Sequence, residues 1–308
     1  MIEGESMKIK EWINKNLNED LSNKIILITG ANSGIGFEAS KILASKGATI
    51  ILACRNEQRA IKAKELILKE YPSSKIDIIL YDQSSFSKID KFVDELKQRY
   101  NHIDALVLNA GIYHPSSNQK TEDGLPLTIG VNYFGCFYLV DKLLTYLEKS
   151  HSKIIFVTSL THRLSKYKDY SFLTDDDKHV SKTYGLSKLA IVKLFLYLSN
   201  NENIEVLMMH PGVSSTNIFS STNNNFPKWF QKIAHIFLPL FTHSPLKASL
   251  GITLLASKDG LNKTYLGPRG LFGIFGYPKK KTIPNRYKKD VDEFINKTRL
   301  IIKNIKNK

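Results

Sequence analysis

The stretch Tyr184-Gly185-Leu186-Ser187-Lys188 has the clearest capacity for chemistry in this chain. On a helix, the four-residue spacing puts the Tyr184 phenol and the Lys188 ammonium on one face. A cation beside a phenol favours the phenolate. The phenol pKa is therefore expected to fall from near ~10 toward the range where the group gives and takes protons. Tyr184 would then act as general acid and base. Taken alone, the pair fits an aromatic packed beside a snorkelling lysine better. Three further features tip the balance toward chemistry: a glycine-rich turn upstream, a serine before this helix and a Pro-Gly turn after it.

The glycine turn lies between an apolar run at residues 24–29 and a helical pattern at 35–46. It reads Gly30-Ala31-Asn32-Ser33-Gly34-Ile35-Gly36, and strand, turn and helix in this order aim free amides and a helix N-terminus at a phosphate. Gly30 allows the tight turn, Gly34 the close backbone approach and Gly36 the packing of helix on strand. The second strand ends in Cys54-Arg55-Asn56, where a site preferring NAD would place an acidic residue for the ribose hydroxyl. Arg55 would instead pair with a 2′-phosphate, so the expected cofactor is NADP(H); a solvated arginine is the alternative. Asp82, at the end of strand three, is either an adenine contact or a helix cap. Asn109-Ala110-Gly111 ends strand four with small residues that admit a flat cofactor. Asn132 is a polar residue in an apolar helix, either a structural hydrogen bond or a water-holding group, and the local sequence favours the first. Ser159 closes strand five and faces the same crevice. After strand six, Pro211-Gly212-Val213 could press on one ring face of the cofactor, and Thr216 could reach its carboxamide. His210, a lone histidine at a strand end, is assigned no chemistry.

These residues need a scaffold, and the hydrophobic pattern supplies one. Strands are expected at residues 48–53, 75–80, 104–108, 153–157, 204–209 and 263–266 in addition to the first. Helices are expected at 10–17, 56–70, 84–99, 127–149, 184–199 and 245–257, and helical spacing resumes from 287. Such alternation implies βαβ units and a doubly wound parallel sheet of about seven strands, an α/β class. We expect an N-terminal extension at 1–20, a cofactor-binding catalytic domain at 21–266 and a basic C-terminal extension at 267–308. Residues 161–182 form a polar insertion, and 267–278 a glycine-rich aromatic loop. An amphipathic helix at 227–241 falls in a substrate lid at about 217–245. Domain packing and a membrane-surface patch are its other readings, the last ranked lowest.

The 308 residues carry a formal charge of +15. Residues 278–308 hold 11 Lys and Arg against 3 Asp and Glu, which suggests an acidic partner or simple solubility. The basic run lacks interleaved aromatics, which argues against nucleic-acid binding. Cys54 and Cys136 are the only cysteines, so neither a disulfide framework nor a metal site is expected. No signal-peptide pattern and no run of about 18 apolar residues occurs, and a cytoplasmic location is expected.

Over about residues 21–266 the chain resembles the short-chain dehydrogenase/reductase family, and within it the retinol-dehydrogenase-like group. The resemblance rests on residues 29–36, Asn109 to Gly111, Asn132, Ser159, Tyr184 with Lys188, and Pro211-Gly212. Cys54-Arg55-Asn56, the long insertion and the His210-Pro211-Gly212 turn carry it to the narrower group. Leu108 and Thr158 depart from common family residues. The resemblance implies a Rossmann fold and hydride transfer between a nicotinamide cofactor and a carbonyl or alcohol; Arg55 points to NADP(H), and the 227–241 helix with the aromatic loop after Gly267 points to an apolar aldehyde, ketone or alcohol. It implies that Tyr184 exchanges the proton, Lys188 lowers the tyrosine pKa and holds the nicotinamide ribose, Ser159 polarises the carbonyl and Asn132 holds a water. Enone reduction and a non-catalytic NADP-binding sensor or scaffold are the alternatives. A homodimer and a peripheral membrane contact are also expectations.

Overall fold

The computed structural model describes residues 2–113, 119–175, 180–212 and 244–307. Val213, Thr216 and the 227–241 helix lie outside the described residues. Eight strands form one sheet: β1 (Ile25–Thr29), β2 (Thr49–Cys54), β3 (Ile76–Leu80), β4 (Ala105–Leu108), β5 (Lys153–Val157), β6 (Glu205–Met209), β7 (Tyr265–Pro268) and β8 (Pro278–Lys280). Their spatial order is β3-β2-β1-β4-β5-β6-β7-β8. The first seven run parallel, with Ile26 opposite both Ile50 and Ala105.

The central strands β1, β2, β4 and β5 are mostly apolar and buried because both faces are covered. The described helices are α1 (Ile2–Asn16), α2 (Gly34–Ser45), α3 (Glu57–Glu70), α4 (Phe86–Arg99), α5 (Leu127–Ile129), α6 (Cys136–Lys149), α7 (Val180–Leu198), α8 (Pro245–Ser257) and α9 (Val291–Lys306). Strand side chains alternate in direction. Leu27 enters a core shared with α4, α6, α7 and α9, while Ile26 and Ile28 enter one shared with α2, α3 and α8. Ile9 and Leu17 pack near the N-terminus with Ile42 and Leu250. Phe294 of α9 is buried among Tyr133, Tyr167, Tyr170 and Phe172, at ring separations of 5.5 to 6.2 Å.

The N-terminal helix, expected at 10–17, runs over Ile2–Asn16, and two further elements differ from expectation. The helix expected at 127–149 is interrupted by a π-helical turn at Gly130–Gly135. Glycine is needed there: a Cβ on Gly135 would fall 2.2 Å from the Gln83 carbonyl oxygen, and one on Gly130 2.5 Å from Thr121 Cγ2. The wider turn lets the chain press against the loop after β3. Residues 267–278, expected as a loop, include the end of β7 and a 3-10 turn at Leu271–Gly273, and they lead into β8. That eighth strand returns antiparallel on β7, with Leu266 opposite Lys280. No helix among the described residues is long and apolar enough to cross a membrane.

Candidate active site

Strand order reverses between β1 and β4, and the crevice over their carboxyl ends is where open α/β sheets take ligands. The glycine turn lies there, with Gly30 at φ 66° and Gly34 at φ 58°, both in the left-handed region. A Cβ on Gly36 would sit 2.5 Å from Asn109 Nδ2 and 2.6 Å from the Gly30 carbonyl oxygen. The first amide of α2 with a backbone acceptor is that of Phe37, which donates to Ser33 at 3.3 Å. The amides of Gly34, Ile35 and Gly36 precede it at the helix N-terminus, and the Ser33 side chain makes no capping bond. This is the donor arrangement that suits a phosphate.

Thr29 and Asn109 hold the turn against β4. The Thr29 hydroxyl donates to the Val107 carbonyl and accepts the Asn109 and Ala110 amides, each at 3.0 Å. Asn109 Nδ2 donates to the Thr29 carbonyl at 2.9 Å. The Asn109 side chain, expected at the cofactor, is thus engaged in building the floor of the turn. Asn56 is similarly engaged: it caps α3 by accepting the Arg59 amide at 2.9 Å. Arg55 is exposed at the end of β2. Asp82 accepts the Ser84 amide and hydroxyl and pairs with Lys88 at 3.3 Å. Burial raises its carboxyl pKa, but the Ser84 bonds and Lys88 outweigh that and hold it below the usual range.

On the other wall, α7 carries Tyr184 and Lys188 beside Ser159. Lys188 Nζ lies 5.8 Å from the centre of the Tyr184 ring and donates to the Val157 carbonyl at 3.2 Å. The Thr158 hydroxyl donates to the Lys188 carbonyl at 2.9 Å, pinning α7 to the end of β5. Asn132, in the π-helical turn, accepts the Ile112 amide at 2.7 Å and donates to its carbonyl at 2.9 Å. It also donates to the Ser187 hydroxyl, which donates to the Tyr184 carbonyl at 2.7 Å. A Cβ on Gly111 would lie 3.2 Å from Asn132 Oδ1 and 3.3 Å from Lys188 Nζ. Gly111 therefore faces both.

The expected fall of the Tyr184 pKa is not found in this structure. Burial pushes the phenol up to about 12; interaction with the Ser159 hydroxyl opposes the rise, and Tyr113 adds to it. The Tyr113 ring meets Tyr184 edge-on at 5.2 Å. Lys188 is itself buried, and burial lowers its pKa, with Cys136 opposing. The same burial that brings the two groups together disfavours the charge on each.

The structure thus gathers Gly30, Gly34, Gly36, Ala110, Gly111, Asn132, Ser159, Tyr184 and Lys188 along one crevice. Pro211-Gly212 follows β6, with Gly212 at φ 77°. Sequence reasoning gave Thr29 and Ser187 no role of their own and passed over Gln83. Gln83 Nε2 donates to the Val131 carbonyl at 2.5 Å and to the Ala110 carbonyl at 3.4 Å, joining strand end to π-helical turn. Its position after a strand end, next to Asp82, was the one signal that could have found it.

Residues 24–226 match the short chain dehydrogenase family. A WW domain-containing oxidoreductase of Gallus gallus is 37% identical over 240 residues, 73% of this chain and 56% of that protein. The chain thus spans little more than half the length of this relative. Retinol dehydrogenase 14 of Mus musculus is 29% identical over 264 residues, 80% of this chain and 78% of that one. Among solved structures, a protein of Mycobacterium paratuberculosis has a TM-score of 0.73 at 23% identity, covering 94% of this chain and 95% of that one. An alcohol dehydrogenase of Thermococcus sibiricus complexed with 5-hydroxy-NADP has a TM-score of 0.53 at 20% identity, over 70% and 90%. With a family match that spans the glycine turn, the serine and the tyrosine–lysine pair, the chain belongs to the short-chain dehydrogenase/reductase family of oxidoreductases and has retinol-dehydrogenase-like relatives.

Proposed function

We propose that the protein is an NADP(H)-dependent carbonyl reductase or alcohol dehydrogenase acting on an apolar aldehyde, ketone or alcohol. The observation that carries this reading is the interaction of the Ser159 hydroxyl with the Tyr184 phenol, with Lys188 behind the ring. A carbonyl oxygen that reaches both hydroxyls is polarised by Ser159 and protonated by Tyr184. In the reverse direction Tyr184 takes the proton from an alcohol. Asn132 fixes the Ile112 backbone and, through Ser187, the turn of α7 that carries the tyrosine.

The glycine turn fits a dinucleotide, since the helix N-terminus offers amides to a phosphate and side chains are excluded at Gly30 and Gly36. Exposed Arg55 would hold a 2′-phosphate. Bound in its oxidised form, a nicotinamide supplies a hydride acceptor and a positive charge that favours the phenolate. Val213 and Thr216 complete the proposed cofactor contacts, and residues 21–266 form the catalytic domain. The NADP analogue in the Thermococcus sibiricus structure and the retinol dehydrogenase relative agree with this choice.

The test is NADPH oxidation by the purified protein against aliphatic aldehydes, retinal, ketosteroids, quinones and enones. We expect turnover of at least one carbonyl. Tyr184→Phe should lower kcat by about a thousandfold, a typical loss for a general acid, while NADPH still binds. Turnover of the same substrate by Tyr184→Phe at the wild-type rate would remove the tyrosine from the mechanism.

A further inference from the structure

The hydroxyl of Ser159 has one weak bond of its own to the backbone, from the Thr161 amide at 3.4 Å. With the Tyr184 phenol as its side-chain partner, where it points depends on the Ser159 backbone and on what holds that backbone. His162 holds it twice. The His162 amide donates to the Ser159 carbonyl at 3.1 Å, and its ring Nδ1 lies 2.5 Å from the same oxygen. A carbonyl only accepts, so Nδ1 carries a proton. The ring is 1% exposed, and burial pushes its pKa down to about 4. It is therefore a neutral donor at ordinary pH.

The C-terminal segment fastens this histidine from behind. The Tyr287 hydroxyl donates to the His162 carbonyl at 3.1 Å, and the two rings meet edge-on at 5.7 Å. Arg286 donates to the Arg163 carbonyl at 2.8 Å. The far end of the same turn seats on α7: a Cβ on Gly185 would fall 2.2 Å from Ser165 Oγ, which donates to the Thr161 carbonyl at 3.0 Å. The turn thus runs from Ser159 to the residue beside Tyr184.

We propose that His162 is a positioning residue for Ser159, and that Tyr287 braces His162 so that the serine and tyrosine hydroxyls converge on one substrate oxygen. This rests on the carbonyl-reductase reading above. The His162 and Tyr287 side chains do not touch the reacting atoms in this scheme; they fix the angle from which Ser159 acts.

Three variants of the full chain test it. His162→Phe keeps the ring and loses the donor. His162→Asn keeps a donor where Nδ1 stood. Tyr287→Phe removes one hydroxyl and threatens the fold least. With the best carbonyl substrate, His162→Phe should lower kcat about tenfold, with KM and the NADPH Kd nearly unchanged. Amide hydrogen exchange over residues 159–165 should quicken about fivefold or more, the loss of one hydrogen bond. His162→Asn should recover most of both effects, and Tyr287→Phe should move both in the same direction as His162→Phe, by less. Equal kcat in wild type, His162→Phe and Tyr287→Phe would overturn the proposal, as would His162→Asn behaving like His162→Phe. If wild type reduces no carbonyl, the reductase reading fails, and exchange still decides the brace: unaltered exchange in His162→Phe refutes it, and faster exchange reversed by His162→Asn upholds it.

Discussion

Tyr184 and Lys188 are each pushed toward neutrality by burial, the phenol up to about 12 and the ammonium downward. A protonated tyrosine is ready to donate, so reduction should hold steady near neutral pH and fall only as the phenol ionises. Oxidation needs the phenolate, so its kcat should climb with pH between about 6 and about 9. The apparent pKa in that pH–rate profile should lie below the free protein's value of about 12. An oxidation rate flat over this range would take Tyr184 out of the role of base. At the other end of the crevice, Arg55 is exposed and free to choose a partner by charge. Arg55→Glu should reverse the ratio of kcat/KM for NADPH over NADH by about a hundredfold or more, the worth of a charge-assisted fork replaced by repulsion. An unaltered ratio would show the arginine to be a bystander. The residue types that do chemistry could be found from spacing alone. What spacing did not reveal is that Asn109 and Asn56 spend their side chains on the scaffold, because an asparagine near a strand end suits a ligand or a backbone amide equally well.

Helix α9 grips the back of α7 by a buried charge. Lys193 Nζ, on a side chain 2% exposed, pairs with Asp290 at 2.6 Å and also donates to the Lys289 carbonyl. Asp290 further accepts the Tyr167 hydroxyl at 2.6 Å and that of Tyr170 at 3.1 Å. Burial raises the Asp290 carboxyl, but these donors outweigh it and hold its pKa below the ordinary carboxylate range. A depressed pKa contributes stability that is present above the unfolded value and lost as pH falls through the folded one. Asp290→Asn would leave Lys193 buried without its counter-charge. We expect a loss of roughly 2–4 kcal/mol at neutral pH, reduced from the cost of breaking a fully buried pair because Asp290 is partly exposed. Denaturant titration of both proteins at neutral and acid pH measures it. The difference should shrink on acidification; a constant gap would deny the pair its electrostatic role. In sequence, Asp290 is one acid in a basic tail and Lys193 one lysine on an amphipathic helix. Burial of that lysine follows from α9 lying over it, a tertiary fact. The strands were easier to read, since Ile25 to Ile28 and Ile154 to Val157 are apolar on both faces in a way only a covered sheet explains. The π-helical turn was not readable, because Gly130 and Gly135 only acquire meaning when Gln83 and Thr121 are seen against them.

The described residues form one sheet with a polar crevice at its switch point, and α1 and α9 pack against the helices that cover it. Among the described residues the sheet has two border strands, β3 and β8, and both are guarded. At the β3 border, the Asp77 carboxylate accepts the Ile78 amide at 2.8 Å, and Arg99 from α4 donates to the Ile78 carbonyl at 3.0 Å. One residue's backbone thus has both of its bonds taken by side chains. At the opposite border, β8 is three residues long, opens with Pro278 and exposes Lys279 and Lys280. A second molecule aligning its own strand there would meet a missing donor and two cations. Replacing Lys279 and Lys280 together by valine should leave the crevice intact and make the protein associate, seen as light scattering that grows with concentration and with mild heating. Scattering equal to wild type would show that the strand's shortness suffices. Lys279 and Lys280 thus carry a physical consequence apart from any acidic partner: two like charges on a short outer strand oppose the addition of a second copy's strand, and with it the growth of a fibre.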